Sequence, residues 1–99
     1  MKKSKTKILL VDDEPDILEI VGYNLAQEGY QIIKAENGKI AIEKAKKELP
    51  HLIIMDVMMP EMDGMEACEN IRKIPELKNV IITFLTVVSV PSCDETKII

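Results

Sequence analysis

The stretch HLIIMDVMMPEMDG, residues 51–64, decides the fold of this chain. Its apolar part, Leu52–Met55, is typical of a buried strand, and the acidic residue Asp56 ends it. A charge is costly inside a core, so the pattern predicts that Asp56 projects from the end of the strand. In open parallel sheets, ligands bind beyond that end. Two interpretations stay open here: Asp56 meets a ligand, or it only caps the following turn.

The composition is that of one small globular domain. The chain has 99 residues, and its 46% hydrophobic and 30% charged residues argue against disorder. No apolar run reaches the ~18 residues of a membrane span, and the run after MKKSKTK is too short for a signal peptide. We therefore expect a soluble, cytoplasmic protein that does not enter a membrane. The net charge of −4 gives no support to direct nucleic-acid binding.

Some residue types that often carry chemistry form no functional pattern in this chain. Cys68 and Cys93 make neither a CxxC nor a zinc motif, so we expect reduced thiols. His51 precedes the strand at the end opposite Asp56, which favours a solvated loop histidine over a phosphodonor. The clustered methionines are interpreted as core and loop filler, because Met packs well into irregular gaps.

Strand-like and helix-like segments alternate along the chain. Apolar runs predict strands over 7–11, 30–35, 52–55 and 80–85. Helical spacing predicts helices from Glu14 to a cap at Gly29, over about 39–48 and over 65–74. The expected inward positions of the last two helices are Ile40, Ala41, Ala45, Leu49, Met65, Ala67, Cys68 and Ile71. This order predicts a parallel sheet with right-handed crossovers, with the less apolar second strand at an edge.

Oxygen-bearing side chains follow three of the predicted strands. Asp12 and Asp13 follow the first strand, Asp56 the third and Thr86 the fourth. The carboxyl ends of parallel strands share one edge of the sheet, so these residues are expected to meet there. Carboxylates that close together repel each other unless a cation lies among them. Because Mg²⁺ prefers oxygen ligands, the pattern predicts a magnesium site with room for a phosphate oxygen.

Three motifs together point to one family. With ILLVDDEP at 8–15, LIIMDVMMPEMDG at 52–64 and ITFLT at 82–86, the chain resembles the receiver domain of two-component response regulators. The resemblance implies a flavodoxin-like α/β fold with three layers and strand order 2-1-3-4, lacking the family's last helix, strand and helix. It also implies a lead-in over 1–6, a receiver core over 7–86 and a divergent tail over 87–99.

The resemblance also implies roles for individual residues. Asp56 matches the phosphoacceptor, which takes a phosphoryl group from a sensor histidine kinase or a phosphotransfer protein. Mg²⁺ would be bound by Asp13, Asp56 and the backbone carbonyl of Met58, with Asp12 orienting a metal-bound water. Thr86 matches the switch hydroxyl that responds to phosphorylation. Such a module is not an enzyme beyond catalysing its own phosphorylation and dephosphorylation.

The end of the chain departs from the family pattern. Residues 87–99, VVSVPSCDETKII, match no receiver element, and the family's phosphate-contacting lysine has no counterpart other than the poorly placed Lys97. We therefore expect impaired phosphorylation. The fourth strand is also expected to be an exposed edge, with apolar side chains of strands three and four uncovered. An edge of that kind predicts a homodimer.

Three other functions compete with the receiver interpretation. A non-signalling dimerisation fragment with a vestigial acidic pocket is the main alternative. A metal-dependent phosphohydrolase would need a second Asp two residues after the nucleophile, where this chain has Met58. A dinucleotide binder would need a glycine-rich loop after the first strand, and none is present.

Overall fold

The computed structural model of the chain describes residues 5–57 and 62–85. Within them the strands are β1 (Lys7–Val11), β2 (Gln31–Ala35), β3 (Leu52–Asp56) and β4 (Ile81–Leu85). The helices are α1 (Pro15–Gln27), α2 (Gly38–Glu48) and α3 (Gly64–Arg72), and a 3₁₀ turn at Pro75–Leu77 precedes β4. The predicted alternation is confirmed, with differences only at the ends of elements. Met58, Thr86, Lys97 and most of the predicted lead-in and tail lie outside the described residues.

The sheet is parallel and its strand order is β2-β1-β3-β4, as predicted. Its less apolar second strand lies at one edge. The register sets Val11 beside Met55, so the residues that follow them lie at the same level: Asp12 just after β1 and Asp56 at the end of β3. The register of the two central strands therefore brings distant acidic residues together at the carboxyl edge.

Helices cover both faces of the sheet, which gives the predicted three layers. Side chains of β1 and β3 alternate between the faces, because successive strand residues point to opposite sides. The face covered by α2 and α3 buries Leu9, Val11, Ile53, Met55, Ala41, Ala45, Ala67 and Ile71. The face covered by α1 buries Ile8, Leu10, Leu18 and Ile54. Small alanines on α2 and α3 let these helices approach the sheet closely.

Local sequence signals set the helix ends. Asn37 caps α2 by accepting a hydrogen bond from the backbone N–H of Ile40 at 2.8 Å. Asp63 caps α3 in the same way, accepting from the N–H of Glu66 at 2.9 Å. Each cap is worth roughly 1 kcal/mol. After α1 the chain turns at Gly29, whose φ of 103° is a conformation that glycine adopts without steric cost.

Several expected core positions are wrong. Leu49 is 46% exposed, because α2 ends at Glu48 and Leu49 takes a left-handed conformation that turns it away from the core. Met65 is 53% exposed, at the start of α3, while Cys68 is a half-buried free thiol.

The expected uncovered face is only partly observed. On β3, Ile54 is 1% exposed, because β3 lies inside the sheet and packs with the α1 cluster. On β4, Ile81 is 63% exposed, as the prediction required. Among the described residues, no helix combines the length and apolar character that crossing a bilayer requires.

Candidate metal centre

Three carboxylates meet at the carboxyl edge of the sheet. Asp12 and Asp13 directly follow β1, and Asp56 is the last residue of β3. One carboxylate oxygen from each residue lies within 4.8 Å of the other two. Asp12 is buried, Asp56 is half-buried and Asp13 is exposed. The cluster therefore runs from the core to the solvent and is accessible from one side.

The surroundings of Asp12 disfavour the charged form of its carboxyl group. Burial raises the pKa of Asp12 to about 6, and the neighbouring carboxylates of Asp56 and Asp13 act in the same direction. A hydrogen bond opposes this shift, because the backbone N–H of Glu14 donates to Asp12 Oδ1 at 2.8 Å. The pocket thus concentrates negative charge in a place where burial makes that charge unfavourable.

Backbone contacts fix both strand ends that carry the carboxylates. The N–H of Asp12 donates to the carbonyl of Ala35 in β2 at 3.1 Å. Beyond β3, the N–H of Gly64 donates to the carbonyl of Val57 at 3.0 Å, which closes the chain back toward Asp56. A Cβ at position 64 would lie 2.5 Å from the Asp56 carbonyl oxygen, so only glycine fits there. The acidic side chains are therefore held by the scaffold.

The donor set suits a hard divalent cation. Carboxylate oxygens are the ligands that Mg²⁺ prefers, and Mg²⁺ typically uses one or two of them while keeping several waters. A cation among these oxygens would also offset the mutual repulsion that helps to raise the pKa of Asp12. The residues present therefore fit a magnesium ion.

The other site residues from the sequence analysis divide into two groups. Met58, Thr86 and Lys97 lie outside the described residues. His51 lies at the opposite edge of the sheet, where its Nδ1 accepts from the Lys7 N–H at 3.0 Å and its own N–H donates to the Lys7 carbonyl at 2.9 Å. This histidine therefore joins the amino ends of two strands, a contact that the sequence analysis did not include.

The sequence analysis also missed the support that Glu14 gives to Asp12. An aspartate that accepts from the backbone N–H two residues later forms an Asx turn. The signal was available, because Asp12 lies between the end of a strand and a helix beginning at Pro15. The turn aims Asp12 at its neighbours before any ligand binds.

The family comparison agrees with this geometry. The sequence model of a protein family, the response regulator receiver domain, matches residues 8–94. The chain belongs to this family. The match sets aside the phosphohydrolase and dinucleotide-binding interpretations, since both rest on a different arrangement of motifs.

Individual relatives show how much of the chain the likeness covers. The alkaline phosphatase synthesis transcriptional regulatory protein PhoP of Bacillus subtilis (strain 168) is 48% identical over 67 residues, which are 68% of this chain and 28% of PhoP. The probable transcriptional regulator ycf27 of Pyropia yezoensis is 41% identical over 85 residues, which are 86% of this chain and 35% of that protein. The receiver chain therefore spans only about a third of the length of such curated relatives.

Solved structures support the fold. The chemotaxis protein CheY4 of Vibrio cholerae matches with a TM-score of 0.83 and 36% identity, over 87% of this chain and 72% of that one. The receiver domain of the sensor histidine kinase PA1611 of Pseudomonas aeruginosa PAO1 matches with a TM-score of 0.81 and 29% identity, over 88% and 71%. The PA1611 structure contains a magnesium ion coordinated in its active-site cleft.

Proposed function

We propose that this receiver domain accepts a phosphoryl group on Asp56 from the phosphohistidine of a sensor histidine kinase or a phosphotransfer protein, in a magnesium-dependent reaction. One observation carries the proposal: oxygens of Asp12, Asp13 and Asp56 lie within 4.8 Å of one another at the carboxyl edge. Family membership gives this cluster its chemical meaning. The proposed location is the cytoplasm, together with the phosphodonor.

The transfer replaces one phosphorus bond with another. A carboxylate oxygen of Asp56 attacks phosphorus, the P–N bond of the phosphohistidine breaks, and the imidazole keeps the electron pair and takes up a proton. Such reactions depend chiefly on in-line positioning and on positive charge near the phosphoryl oxygens. Asp56 meets the first need, because it ends a strand and is half-buried with a defined backbone. The domain modifies only itself, and hydrolysis of the aspartyl phosphate resets it.

Magnesium would supply the positive charge when bound. We propose Asp13, Asp56 and the backbone carbonyl of Met58 as its direct protein ligands, with Asp12 acting through a water from the buried side. The raised pKa of Asp12 supports this assignment, because a nearby cation would favour the ionised carboxylate. The magnesium ion in the PA1611 receiver domain is further support.

Thr86 is the proposed switch residue. It directly follows Leu85, which is the register partner of Asp56 in the β3–β4 pair. A hydroxyl at this point of the chain is suited to donate a hydrogen bond to a phosphoryl group on Asp56. A Thr86→Ala variant should still take up phosphate but lose the downstream response.

We also propose that the chain forms a homodimer through the edge of β4. In the described part of the chain, β4 pairs with β3 only, and Ile81 on it is 63% exposed. Sheet edges with apolar side chains pair readily with other chains. Multi-angle light scattering should give twice the chain mass, and a monomer at high concentration would contradict the proposal. If the chain dimerises but takes up no phosphoryl group, the alternative of a dimerisation fragment with a vestigial pocket gains support.

Incubation with acetyl phosphate and magnesium, followed by intact-mass measurement, tests the main proposal. We expect chains that carry a single added phosphoryl group, none after chelation of magnesium and none in Asp56→Asn. For the polypeptide of residues 1–99 we expect slow incorporation, because none of its lysines matches the family's phosphate-contacting position. Rapid, stoichiometric and stable phosphorylation would contradict the expected impairment. Absence of phosphorylation under every condition would contradict the phosphoacceptor proposal itself.

A further inference from the structure

Gly38 and Met62 make an unusually close contact near the candidate site. Gly38 is the first residue of α2 and is buried, while Met62 lies between β3 and α3 and packs against the core. A Cβ at position 38 would lie 2.9 Å from Sδ, 3.0 Å from Cγ and 3.2 Å from Cβ of Met62. Real Cβ contacts are essentially never as short as 2.9 Å, and the other two are tighter than most, so a glycine is required if Met62 is to stay in place.

Space, and not backbone conformation, explains this glycine. Within the described residues the glycine with positive φ is Gly29, so Gly38 adopts a conformation open to other amino acids. The glycine therefore permits a close approach between α2 and Met62.

Met62 lies two residues before Gly64, and Gly64 closes back onto the end of β3. The Gly64 N–H donates to the Val57 carbonyl at 3.0 Å, and a Cβ at position 64 would lie 2.5 Å from the Asp56 carbonyl oxygen. The Met62 contact adds an attachment to a different element, α2. A shift of Met62 would therefore be passed through Gly64 to the backbone of Asp56.

The α2 side of the contact is equally well fixed. The Asn37 cap holds the first turn of α2 through the hydrogen bond from Ile40. Just before it, the carbonyl of Ala35 accepts from the N–H of Asp12 at 3.1 Å. The start of α2 thus has a set position relative to Asp12, and the Met62 contact extends that position to the segment that follows Asp56.

We propose that Gly38 and Met62 are a positioning pair that sets Asp56 relative to Asp12 and Asp13 for cation binding. Neither residue touches the ion; the pair acts through the backbone from Met62 to Gly64 and the Gly64–Val57 hydrogen bond. This inference rests on the proposed function for its consequence, but its structural part holds for the metal-free chain.

Gly38→Ala is the central variant, and Gly22→Ala is its matched control. Both add one methyl group to a buried helical glycine. At Gly22 the new Cβ would lie 2.9 Å from Cε of Lys34, near the end of a flexible side chain that can move into solvent. At Gly38 the new methyl would also lie 3.2 Å from Cβ of Met62, which moves only with the backbone, so rotating the Met62 side chain leaves a tight contact that a small backbone shift at Met62 must relieve.

Magnesium affinity is measured by calorimetric titration of the full 99-residue chain at a temperature where each variant is folded. We expect Gly38→Ala to weaken binding about tenfold, at the lower end of what loss of an outer-shell support costs. Gly22→Ala should bind as the wild type does. Equal affinity for Gly38→Ala and the wild type would overturn the inference.

A double-mutant cycle with Met62→Ala tests the coupling and does not depend on the stability of Gly38→Ala. Met62→Ala alone creates no clash but removes the attachment, so it should also weaken binding. Met62→Ala removes Sδ and Cγ, the two nearest atoms, and leaves only the 3.2 Å contact with Cβ, so alanine at position 38 should then cause less loss than it does beside Met62. Additive losses would show that the two residues act separately and would contradict the proposal.

Amide NMR spectra of the metal-free chain separate this inference from the proposed function. Gly38→Ala should move the Asp56 and Val57 resonances, and Gly22→Ala should leave them in place. If the wild type binds no magnesium, the proposed function fails, while the spectra still decide the positioning role. Unmoved Asp56 and Val57 resonances in a folded Gly38→Ala chain would overturn the positioning role.

Discussion

The two edges of the sheet differ in how their charged side chains are arranged. At the amino edge, Lys7 Nζ lies 3.4 Å from Glu48 Oε1 and donates to the Glu48 carbonyl at 3.3 Å. At the carboxyl edge, β1 and β3 instead bring together three acidic side chains of like charge. The opposite charges at the amino edge attract each other. At the carboxyl edge, by contrast, burial raises the pKa of Asp12 to about 6.

This difference distinguishes a structural edge from a functional one. Charges that serve only the fold tend to be exposed or paired, because a buried charge without a counter-charge costs stability. A sheet that keeps a like-charged cluster at one edge bears that cost in the metal-free state. Binding of a cation would offset this loss of stability at the carboxyl edge, and no such effect is expected at the amino edge.

The largest expected effect is loss of phosphoryl transfer in Asp56→Asn. An amide lacks the anionic oxygen that attacks phosphorus, so incorporation from acetyl phosphate should fall to background. Glu48→Gln, the same change at the opposite edge, should retain wild-type incorporation. Intact-mass measurement checks both. Phosphate uptake by Asp56→Asn at the wild-type level would place the acceptor elsewhere.

Asp12→Asn should stabilise the metal-free protein at pH 7. The side chain is 3% exposed, and asparagine keeps the Oδ1 acceptor for the Glu14 N–H while removing the buried charge. A pKa raised from 3.8 to about 6 corresponds to roughly 3 kcal/mol. We expect a gain of about 1–3 kcal/mol in the free energy of unfolding, measured by urea titration with chelator present. A loss of stability would show that Asp12 is not strained by its neighbours.

The stability difference between these two proteins should depend on pH. Because the pKa of Asp12 is raised in the folded state, the protonated carboxyl favours folding, and this contribution is lost as pH rises through about 6. Asp12→Asn and wild type should therefore be about equally stable below pH 4, and the variant should gain its full advantage above pH 6. Urea titrations from pH 4 to 8 measure this; a constant difference would contradict it.

The smallest effect is expected at the amino edge. Lys7 and Glu48 side chains are each 35% exposed, so solvent screens their attraction. Glu48→Gln should lower the free energy of unfolding by less than ~1 kcal/mol, and added salt should reduce the difference further. A loss of stability in Glu48→Gln larger than the gain expected for Asp12→Asn would contradict the comparison.

Patterns along the chain predicted a parallel sheet and the convergence of the acids, while the strand order came from the family resemblance. Apolar runs ending in Asp12 and Asp56 identify parallel strands, and level ends follow once β1 and β3 are neighbours. Helical periodicity wrongly predicted that Leu49 points inward. The apolar spacing includes Leu49, but α2 ends at Glu48, because the residues just before Pro50 cannot easily continue a helix. Periodicity failed at Met65 because the residue lies at the start of α3, where spacing alone does not define the buried side.

Other features depend on distances that no sequence pattern encodes. The Asn37-Gly38 pair predicted a turn, but the reason for glycine is the nearness of Met62 on another element. The pKa of Asp12 likewise depends on its burial and on the positions of Asp56 and Asp13. The expectation that apolar side chains of the third and fourth strands are uncovered fails at Ile54, which packs with the α1 cluster.

Thermal unfolding with increasing magnesium is the most direct test of the acidic cluster as a cation site. A ligand that binds only the folded state raises the unfolding midpoint with its concentration. The wild type should show a saturable rise at pH 7.5, and Asp13→Asn, which keeps the fold but removes an exposed ligand, should show none. No rise in the wild type, or the same rise in both proteins, would contradict a shared cation at this edge.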